Sequence, residues 1–159
     1  MGNNSPFGID NDNKYMEKAL ILAQRAFDAD EVPVGAIVVN SQGKIIGRGR
    51  NKVEEHHTQI AHAECNAIAQ AGKKIGDWRL EGCWIYVTLE PCSLCMHLIL
   101  MSRLKGVVFG ASSPLFGFRL GLKEPLSLDK KGNLMVIPNI SAPRAATLLK
   151  TFFKHRRKA

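Results

Sequence analysis

Apolar residues near the start of the chain recur at the spacing of one helix face. The positions that carry this pattern are Tyr15, Ala19, Leu22 and Ala26. Spacings of three and four residues place these side chains on a single stripe, which predicts an amphipathic helix that begins near Lys14. Asp12 or Asn13 is available to cap it. The preceding stretch is rich in asparagine and lacks this pattern, so we expect residues 1–13 to be disordered.

Short apolar runs separated by turn residues form a second pattern, which predicts strands alternating with helices. The run V-G-A-I-V-V, the turn N-S-Q-G and the run K-I-I-G-R-G-R predict a β-hairpin that ends at Asn51. Further along, W-I-Y-V-T and V-V-F-G predict buried strands, and residues 134–137 predict an edge strand. Helices are predicted over 62–71, from Pro91 onward, and over 143–158. This alternation is typical of the α/β class.

Length and composition indicate one domain. The 159 residues, of which 45% are hydrophobic, are enough for a single core, and we assign residues 14–159 to this domain. The first 20 residues hold no apolar stretch of signal-peptide length, and the longest apolar runs are far too short to span a bilayer. We therefore expect a cytoplasmic protein with no membrane partner. Residues 112–133 are punctuated by glycine and proline, and no element is assigned within most of this stretch.

The net charge of +8 is confined to one end of the chain. Residues 1–129 contain 14 basic and 14 acidic side chains, whereas residues 130–159 contain eight basic and no acidic ones. A concentrated basic segment indicates a polyanionic partner, either a nucleic acid or an anionic membrane surface. A solvated tail that aids solubility is the simpler alternative.

Two short motifs carry the candidate chemistry, H-A-E at residues 62–64 and P-C-S-L-C at residues 91–95. Cys92 and Cys95 lie three residues apart in the first turn of a predicted helix, where they share a face and where the helix dipole favours thiolates. His62 adds a nitrogen ligand from the start of another helix. A zinc ion held by two cysteines and one histidine keeps one tetrahedral position open for water, which is typical of catalytic sites.

Glu64 is the candidate proton carrier of this site. Two thiolates formally cancel the charge of the metal, so its water is acidified less than at an all-histidine site and a nearby base is needed. Residues two apart on a regular helix face different directions, so we expect His62 and Glu64 in an irregular first turn. From there Glu64 can take a proton from water, pass it to a ring nitrogen and protonate departing ammonia. Together the two motifs match the signature of zinc-dependent nucleobase deaminases.

Alternative roles stay open for several histidine and cysteine residues. His97 could replace His62 in a compact, purely structural zinc cluster with the cysteine pair. The pair could also be a redox dithiol, but the thioredoxin-like context that would favour this is lacking. Cys65 and Cys83 are interpreted as buried core thiols without chemistry.

The sequence resembles the bacterial tRNA-specific adenosine deaminases, which convert the wobble adenosine of an arginine tRNA to inosine. The similar segments are E-V-P-V-G-A through G-R-N, A-H-A-E, Y-V-T-L-E-P-C-S-L-C, S-R-L-K-G-V-V-F-G-A and the terminal F-F-K-H-R-R. The resemblance implies a three-layer α-β-α fold of the cytidine deaminase type, with a mixed, roughly five-stranded central sheet. It also implies a homodimer with one zinc ion per subunit. The residues that it assigns are His62, Cys92 and Cys95 as ligands, Glu64 as proton shuttle and Asn51 as a contact to the target base.

On this resemblance the partner is the anticodon stem-loop of a tRNA. The tail residues expected to bind it are Phe152, Phe153, Lys154, Arg156 and Arg157. One region departs from the family, because relatives carry an acidic, glycine-rich segment after F-G-A where this chain reads A-S-S-P-L-F-G-F-R-L-G. Contacts made there cannot be carried over.

Two other functions therefore stay open. One is a deaminase of guanine or of another free nucleobase or nucleotide, which would have no need of the basic tail. The other is a non-catalytic, zinc-stabilised RNA-binding subunit, which would have no need of Glu64.

Overall fold

A computed structural model describes residues 4–118 and 133–157, which form helices and strands in alternation. The elements are α1 (Ile9–Asp28), β1 (Gly35–Val39), β2 (Ile45–Arg50), α2 (Val53–His56), α3 (Ala63–Ile75), β3 (Trp84–Leu89), α4 (Ser93–Met101), β4 (Gly106–Ala111), β5 (Met135–Ile137) and α5 (Ala142–Arg157). This order confirms the predicted α/β class.

The strands form one mixed sheet in the order β2-β1-β3-β4-β5. β1 pairs antiparallel with both β2 and β3, so that Ile37 lies opposite Arg48 on one side and Tyr86 on the other. β3 and β4 are parallel, as are β4 and β5. The mixed, five-stranded sheet is therefore as expected, and the chain passes from the end of β3 into α4.

Helices cover both faces of the sheet because neighbouring strand residues are buried in opposite directions. Val38 and Ile85 belong to a core that α3 and α4 complete, whereas Ile37 and Tyr86 belong to a core beneath α1 and α5. Strands buried on both faces read as continuous apolar runs, which explains the sequence of β3. The architecture is the three-layer α-β-α arrangement that the resemblance implied.

Two glycines in β2 allow α3 to lie close to the sheet. A Cβ atom at Gly47 or Gly49 would collide with the backbone of α3, and at Gly49 it would meet the carbonyl oxygen of Ala63 and the amide nitrogen of Ala67. Only glycine leaves room for so close an approach. This close contact places the first turn of α3, which holds Glu64 and follows His62, directly against β2.

The N-terminal helix begins earlier than predicted. α1 starts at Ile9 instead of near Lys14, and Gly8 precedes it without a side-chain cap. The expectation of disorder over residues 1–13 is therefore wrong for the part that α1 occupies, while residues 1–3 lie outside the described residues.

Asp12 explains why the helix extends towards the N-terminus. It lies inside α1 instead of capping it, and its buried carboxylate accepts hydrogen bonds of 2.5 Å from the hydroxyl groups of Ser5 and Tyr86. Tyr86 is 74 residues away along the chain, so no local pattern could reveal this contact. The first residues of the described chain are tied to the central strand β3 through it.

Helix α3 is also longer than predicted. It continues through Gly72, where the sequence indicated its end, and stops before Gly76, whose φ of 73° is left-handed. The short helix α2 was not predicted. Of the unassigned stretch 112–133, residues 119–132 lie outside the described residues.

The final helix agrees with prediction, since α5 spans Ala142–Arg157. Within residues 4–118 and 133–157, no helix combines the length and apolarity needed to cross a membrane.

Candidate metal centre and substrate site

The three predicted metal ligands come together where α3 and α4 begin. His62 immediately precedes α3 with extended backbone angles (φ −71°, ψ 154°), and Cys92 immediately precedes α4 in a similar conformation (φ −73°, ψ 170°). Cys95 follows in the first turn of α4 and is buried. The N-terminus of a helix carries unpaired N–H groups and positive partial charge, which favours thiolates at these positions.

The donor atoms lie close to the spacing that a tetrahedral zinc ion needs, with the His62–Cys95 pair slightly nearer together. The Nδ1 atom of His62 lies 3.2 Å from the Sγ atom of Cys95 and 3.8 Å from that of Cys92, and all three donors lie within 4.8 Å of one another. Zinc–sulfur bonds of about 2.3 Å and zinc–nitrogen bonds of about 2.0 Å, at tetrahedral angles, give separations of roughly 3.5 to 3.8 Å. Two sulfurs and one imidazole nitrogen fit zinc and leave a fourth position for another ligand.

Hydrogen bonds among these side chains favour a thiolate at Cys92. The bond with Cys95 lowers the pKa of the Cys92 thiol to about 4, with help from His62 and against the effect of burial. The pKa of His62 is raised, chiefly by its hydrogen bond with Cys92. The pKa of Cys95 is raised by its hydrogen bonds with Cys65 first and Cys92 second. A divalent cation would displace these shared protons, because thiolate and neutral imidazole are the forms that bind metal.

Glu64 lies in the first turn of α3, next to the ligands, as the motif predicted. Its side chain is buried, and removal from water is the main reason that its pKa is raised above the usual value of a glutamic acid. A carboxyl group with a raised pKa exchanges protons closer to neutral pH, which suits it to proton transfer. The extended backbone of His62 confirms the irregular turn, so the two side chains are not forced onto different faces.

Asn51 presents a buried acceptor beside this centre. Its Oδ1 atom has no hydrogen-bond partner in the described part of the chain. The backbone N–H group of Asn51 donates to the carbonyl oxygen of Val34 at 3.0 Å, and that of Lys52 donates to Ala61 at 2.8 Å, directly before His62. Leaving a buried polar atom unsatisfied is unfavourable by about 1–3 kcal/mol. A ligand that donates a hydrogen bond to Oδ1 would remove this penalty.

Comparison with known families decides what kind of centre this is. A model of the cytidine and deoxycytidylate deaminase zinc-binding region matches residues 9–111. The chain belongs to this family. The matched range includes Asn51 and both motifs, so membership of the cytidine and deoxycytidylate deaminase family rests on the segment that builds the site.

Relatives within the deaminase family include full-length matches. The chain is 38% identical over 148 residues to a tRNA-specific adenosine deaminase of Bacillus subtilis, covering 92% of this chain and 91% of that protein. It is 46% identical over 106 residues to the chloroplastic tRNA(adenine(34)) deaminase of Arabidopsis thaliana, which covers 67% of this chain but only 8% of that much longer protein.

Solved structures of deaminases show the same architecture. A structure from a study of A-to-I editing by tRNA:A34 deaminases superposes with a TM-score of 0.74 at 31% identity, covering 86% of this chain and 99% of that one. A guanine deaminase of Bacillus subtilis gives a TM-score of 0.59 at 35% identity, covering 62% of this chain and 63% of that one. Both support the deaminase-type fold.

The two candidate histidine ligands differ in their surroundings. The Nδ1 atom of His97 lies 2.7 Å from the carbonyl oxygen of Ser93. Among the described residues, the metal-type cluster with the cysteine pair contains His62 and not His97. This arrangement favours His62 over His97 as the third donor beside the cysteine pair.

Cys65 lies nearer to the chemistry of this deaminase than predicted. Its Sγ atom is 4.0 Å from that of Cys95, and the residue is only partly buried, so the interpretation as a buried core thiol is corrected. Its place three residues after His62, in the same helical turn, was the signal available in the sequence. Cys83 is buried in the core, as predicted.

The basic tail combines buried and exposed side chains. Phe152 is buried and packs edge-to-face on Phe27 with ring centroids 5.8 Å apart, so its predicted contact with RNA does not fit its position. Phe153 and Lys154 are exposed. Arg156 is exposed and donates a hydrogen bond of 2.7 Å to the carbonyl oxygen of Asp30. The side chain of Arg157 lies outside the described part of the structure.

Proposed function

We propose that the protein is a zinc-dependent tRNA adenosine deaminase that converts the wobble adenosine of an arginine tRNA to inosine. The observation that carries this proposal is the buried Glu64 beside three zinc-type donors. Burying a carboxyl group is unfavourable, so its place next to an open metal position points to catalysis. The similarity to tRNA-specific adenosine deaminases over nearly the whole chain supports the substrate.

In this proposal, His62, Cys92 and Cys95 hold one zinc ion per chain. When bound, zinc supplies a Lewis acid that makes water a better nucleophile at neutral pH. The side chains of the protein orient the base, exclude bulk water and move protons. The candidate ligands and Glu64 lie at the starts of α3 and α4, and Asn51 directly follows β2.

Glu64 moves the protons of the reaction. It takes one proton from the attacking water, whose oxygen bonds to C6 of adenine, and delivers that proton to N1 of the ring. It then transfers the second proton of the water to the exocyclic amine as the carbon–nitrogen bond breaks. Adenosine and water give inosine and ammonia, and Glu64 returns to its initial state.

Asn51 orients the base in the proposed complex. An asparagine side chain offers one acceptor and two donors, so it can pair with a purine edge that offers both kinds of group. The buried Oδ1 atom without a partner supports this role. A nucleotide in an anticodon loop is already partly unstacked, so moving it into the pocket requires less energy than extracting a paired base.

Deamination of a synthetic anticodon stem-loop tests the proposal. The RNA carries adenosine at the wobble position, and the control RNA carries guanosine there. Mass spectrometry of the digested nucleosides should show inosine from the first RNA, and free adenosine, cytidine and guanine should be poor substrates. Absence of inosine with the zinc-loaded protein would overturn the proposal.

Guanine deamination is the second candidate, favoured by the 35% identity to the Bacillus subtilis guanine deaminase over part of the chain. A free base needs no polyanion-binding tail. Faster turnover of guanine than of the stem-loop would support this candidate and leave the zinc chemistry intact.

Exposed residues of α5 supply the proposed contacts to the tRNA. Phe153, Lys154 and Arg156 face solvent, where aromatic and basic side chains can contact bases and phosphates. We extend the proposal to the neighbouring Lys150, which is exposed on the same helix. Modification of tRNA by this protein would take place in the cytoplasm.

A homodimer completes the proposal. Ile60 and Leu94 are exposed by 66% and 51%, and both line a cavity of about 470 Å³ that extends to Cys65 beside the metal ligands. Large apolar side chains exposed together are typical of protein interfaces, and a second copy of the chain would cover them. Sedimentation equilibrium should give twice the mass of the chain, and Leu94→Glu should reduce it to the monomer. A monomeric wild-type protein at micromolar concentration would contradict the dimer.

A further inference from the structure

Glu31 is a buried acid with no part in the proton transfers proposed above. Its side chain is only 1% exposed. It lies three residues after the end of α1, and its amide donates to the carbonyl oxygen of Ala26. A buried carboxylate is strongly unfavourable unless it is hydrogen-bonded. Its partners therefore indicate its role.

Both carboxylate oxygens of Glu31 bind the backbone of α2. Oε1 accepts a hydrogen bond from the amide of Glu54 and Oε2 accepts one from the amide of Glu55, each at 2.9 Å. Helix α2 is a single turn, and Lys52 before it makes no side-chain cap. Glu31 thus supplies, from a distant segment, the acceptors that a capping residue normally provides.

The segment that carries Glu31 also holds Asn51. The carbonyl oxygen of Val34 accepts the hydrogen bond from the amide of Asn51, at 3.0 Å. Only Lys52 separates Asn51 from the first residue of α2, so a displacement of α2 would be passed directly to Asn51. The backbone at Val34 and the side chain of Glu31 are two anchors for one short stretch of chain.

We propose that Glu31 is a positioning residue, which fixes α2 and thereby holds the side chain of Asn51 in the geometry that receives the target base. This inference rests on the proposed role of Asn51 as a base contact. Glutamine is the informative replacement, because its single carbonyl oxygen cannot accept both amide protons and its NH2 group would face one of them.

Glu31→Gln tests the proposal against Glu54→Gln as a matched control. Both changes remove one negative charge, but the side chain of Glu54 is exposed on the same turn. We expect amide hydrogen exchange at residues 54 and 55 to become at least about tenfold faster in the Glu31 variant, with zinc content unchanged. The kcat/KM for the wobble-adenosine stem-loop should fall about tenfold or more. The control should match wild type in all three measurements, and unchanged amide exchange in Glu31→Gln would overturn the proposal.

A double-mutant cycle separates positioning from a general structural role. If Glu31 acts through Asn51, then Glu31→Gln should have little further effect on kcat/KM in an Asn51→Ala background. Independent, multiplicative losses would overturn the coupling. An Asn51→Ala variant with normal deamination would instead refute the base contact, while amide exchange would still report on Glu31.

Glu31→Asp covers the case in which the glutamine variant does not fold. Aspartate keeps both acceptor oxygens, but its side chain is one methylene group shorter, so the oxygens lie farther from the amides of residues 54 and 55. Amide exchange at residues 54 and 55 should then lie between wild type and the exchange of an unstructured loop. Full protection in Glu31→Asp, at wild-type kcat/KM, would show that the position of the carboxylate does not matter and would overturn the proposal.

Discussion

Glu64 and its histidine neighbour should respond differently to substitution, because one carries protons and the other binds metal. Glu64→Gln keeps the shape of the side chain but removes the proton acceptor. We expect full zinc content by elemental analysis and a loss of about 10²–10⁴ in kcat on the stem-loop. The folded structure should persist, since glutamine keeps the size of the side chain and replaces a carboxyl group whose burial is unfavourable. Normal turnover in this variant would refute the mechanism.

His62→Ala should lose zinc, because it removes one of the three proposed ligands, which form the metal-type cluster of the described residues. The matched control is His97→Ala, since the imidazole of His97 lies close to the cysteine pair in sequence but bonds to Ser93. Zinc affinity, measured by competition with a chromophoric chelator, should fall by at least about tenfold in the first variant and stay unchanged in the second. The reverse pattern would restore the structural cluster on His97.

Residue-scale chemistry could be predicted where it is local. The proposed ligands and the proposed proton carrier lie in two motifs of a few residues, and the structure places them in the helix turns that the motifs indicated. The buried hydrogen bonds of Glu31 could not be predicted, because they depend on elements that only the folded chain brings together.

Helix α1 is joined to strand β3 by the hydrogen bond from Tyr86 to Asp12, and this link should make stability depend on alkaline pH. Burial first, and the bond to Asp12 second, raise the pKa of the Tyr86 phenol. The folded state therefore holds the phenol proton more tightly than the unfolded chain does. The stability that this group contributes is complete below the unfolded pKa of about 10 and is lost as the pH rises beyond it.

Urea denaturation of Tyr86→Phe should show both the loss of the hydrogen bond to Asp12 and the loss of the titrating phenol. At pH 7 the free energy of unfolding should fall by about 1–3 kcal/mol, because the buried carboxylate of Asp12 loses one of its two donors. Between pH 10 and pH 11 the variant should lose stability less steeply than wild type. Equal slopes over that range would mean that Tyr86 does not titrate with unfolding.

Element boundaries were predictable only where local signals decide them. Strands of continuous apolar residues and the basic final helix were found, whereas α1 starts earlier and α3 ends later than the sequence indicated. The local sequence indicates that Asp12 caps the helix, but in the structure Asp12 lies inside α1 and accepts a hydrogen bond from Tyr86 on β3. Gly72 indicated the end of α3, but the left-handed residue that ends the helix is Gly76.

At the scale of the whole molecule, residues 1–129 carry no net charge and the basic residues 130–159 carry the excess. We expect this basic segment to govern RNA binding. Lys150→Gln combined with Lys154→Gln removes two exposed charges from α5 without touching the buried Phe152. The slope of log affinity against log salt for the stem-loop should fall by up to about 0.7–0.9 for each phosphate that the variant no longer neutralises. Deamination at saturating RNA should be nearly unchanged.

The control for this prediction is Lys44→Gln. Lys44 is exposed at the hairpin turn, at the opposite end of β2 from Asn51. Loss of one charge there should leave the salt slope unchanged. A fall in slope per charge equal to that of the two α5 lysines would mean that only net charge matters.

The proposed ligands lie at the starts of two different helices. A bound zinc ion would therefore cross-link α3 and α4 as well as take part in the reaction. His62 and Cys92 are 30 residues apart, and a cross-link that closes a loop of this length stabilises a fold by about 3–4 kcal/mol in the chain-entropy treatment. At saturation, each tenfold rise in free zinc adds about 1.4 kcal/mol more to the free energy of unfolding. In a cell short of zinc, the metal-free protein would unfold more often and be degraded by proteases. The amount of the protein, and not only its activity, would then depend on the zinc supply.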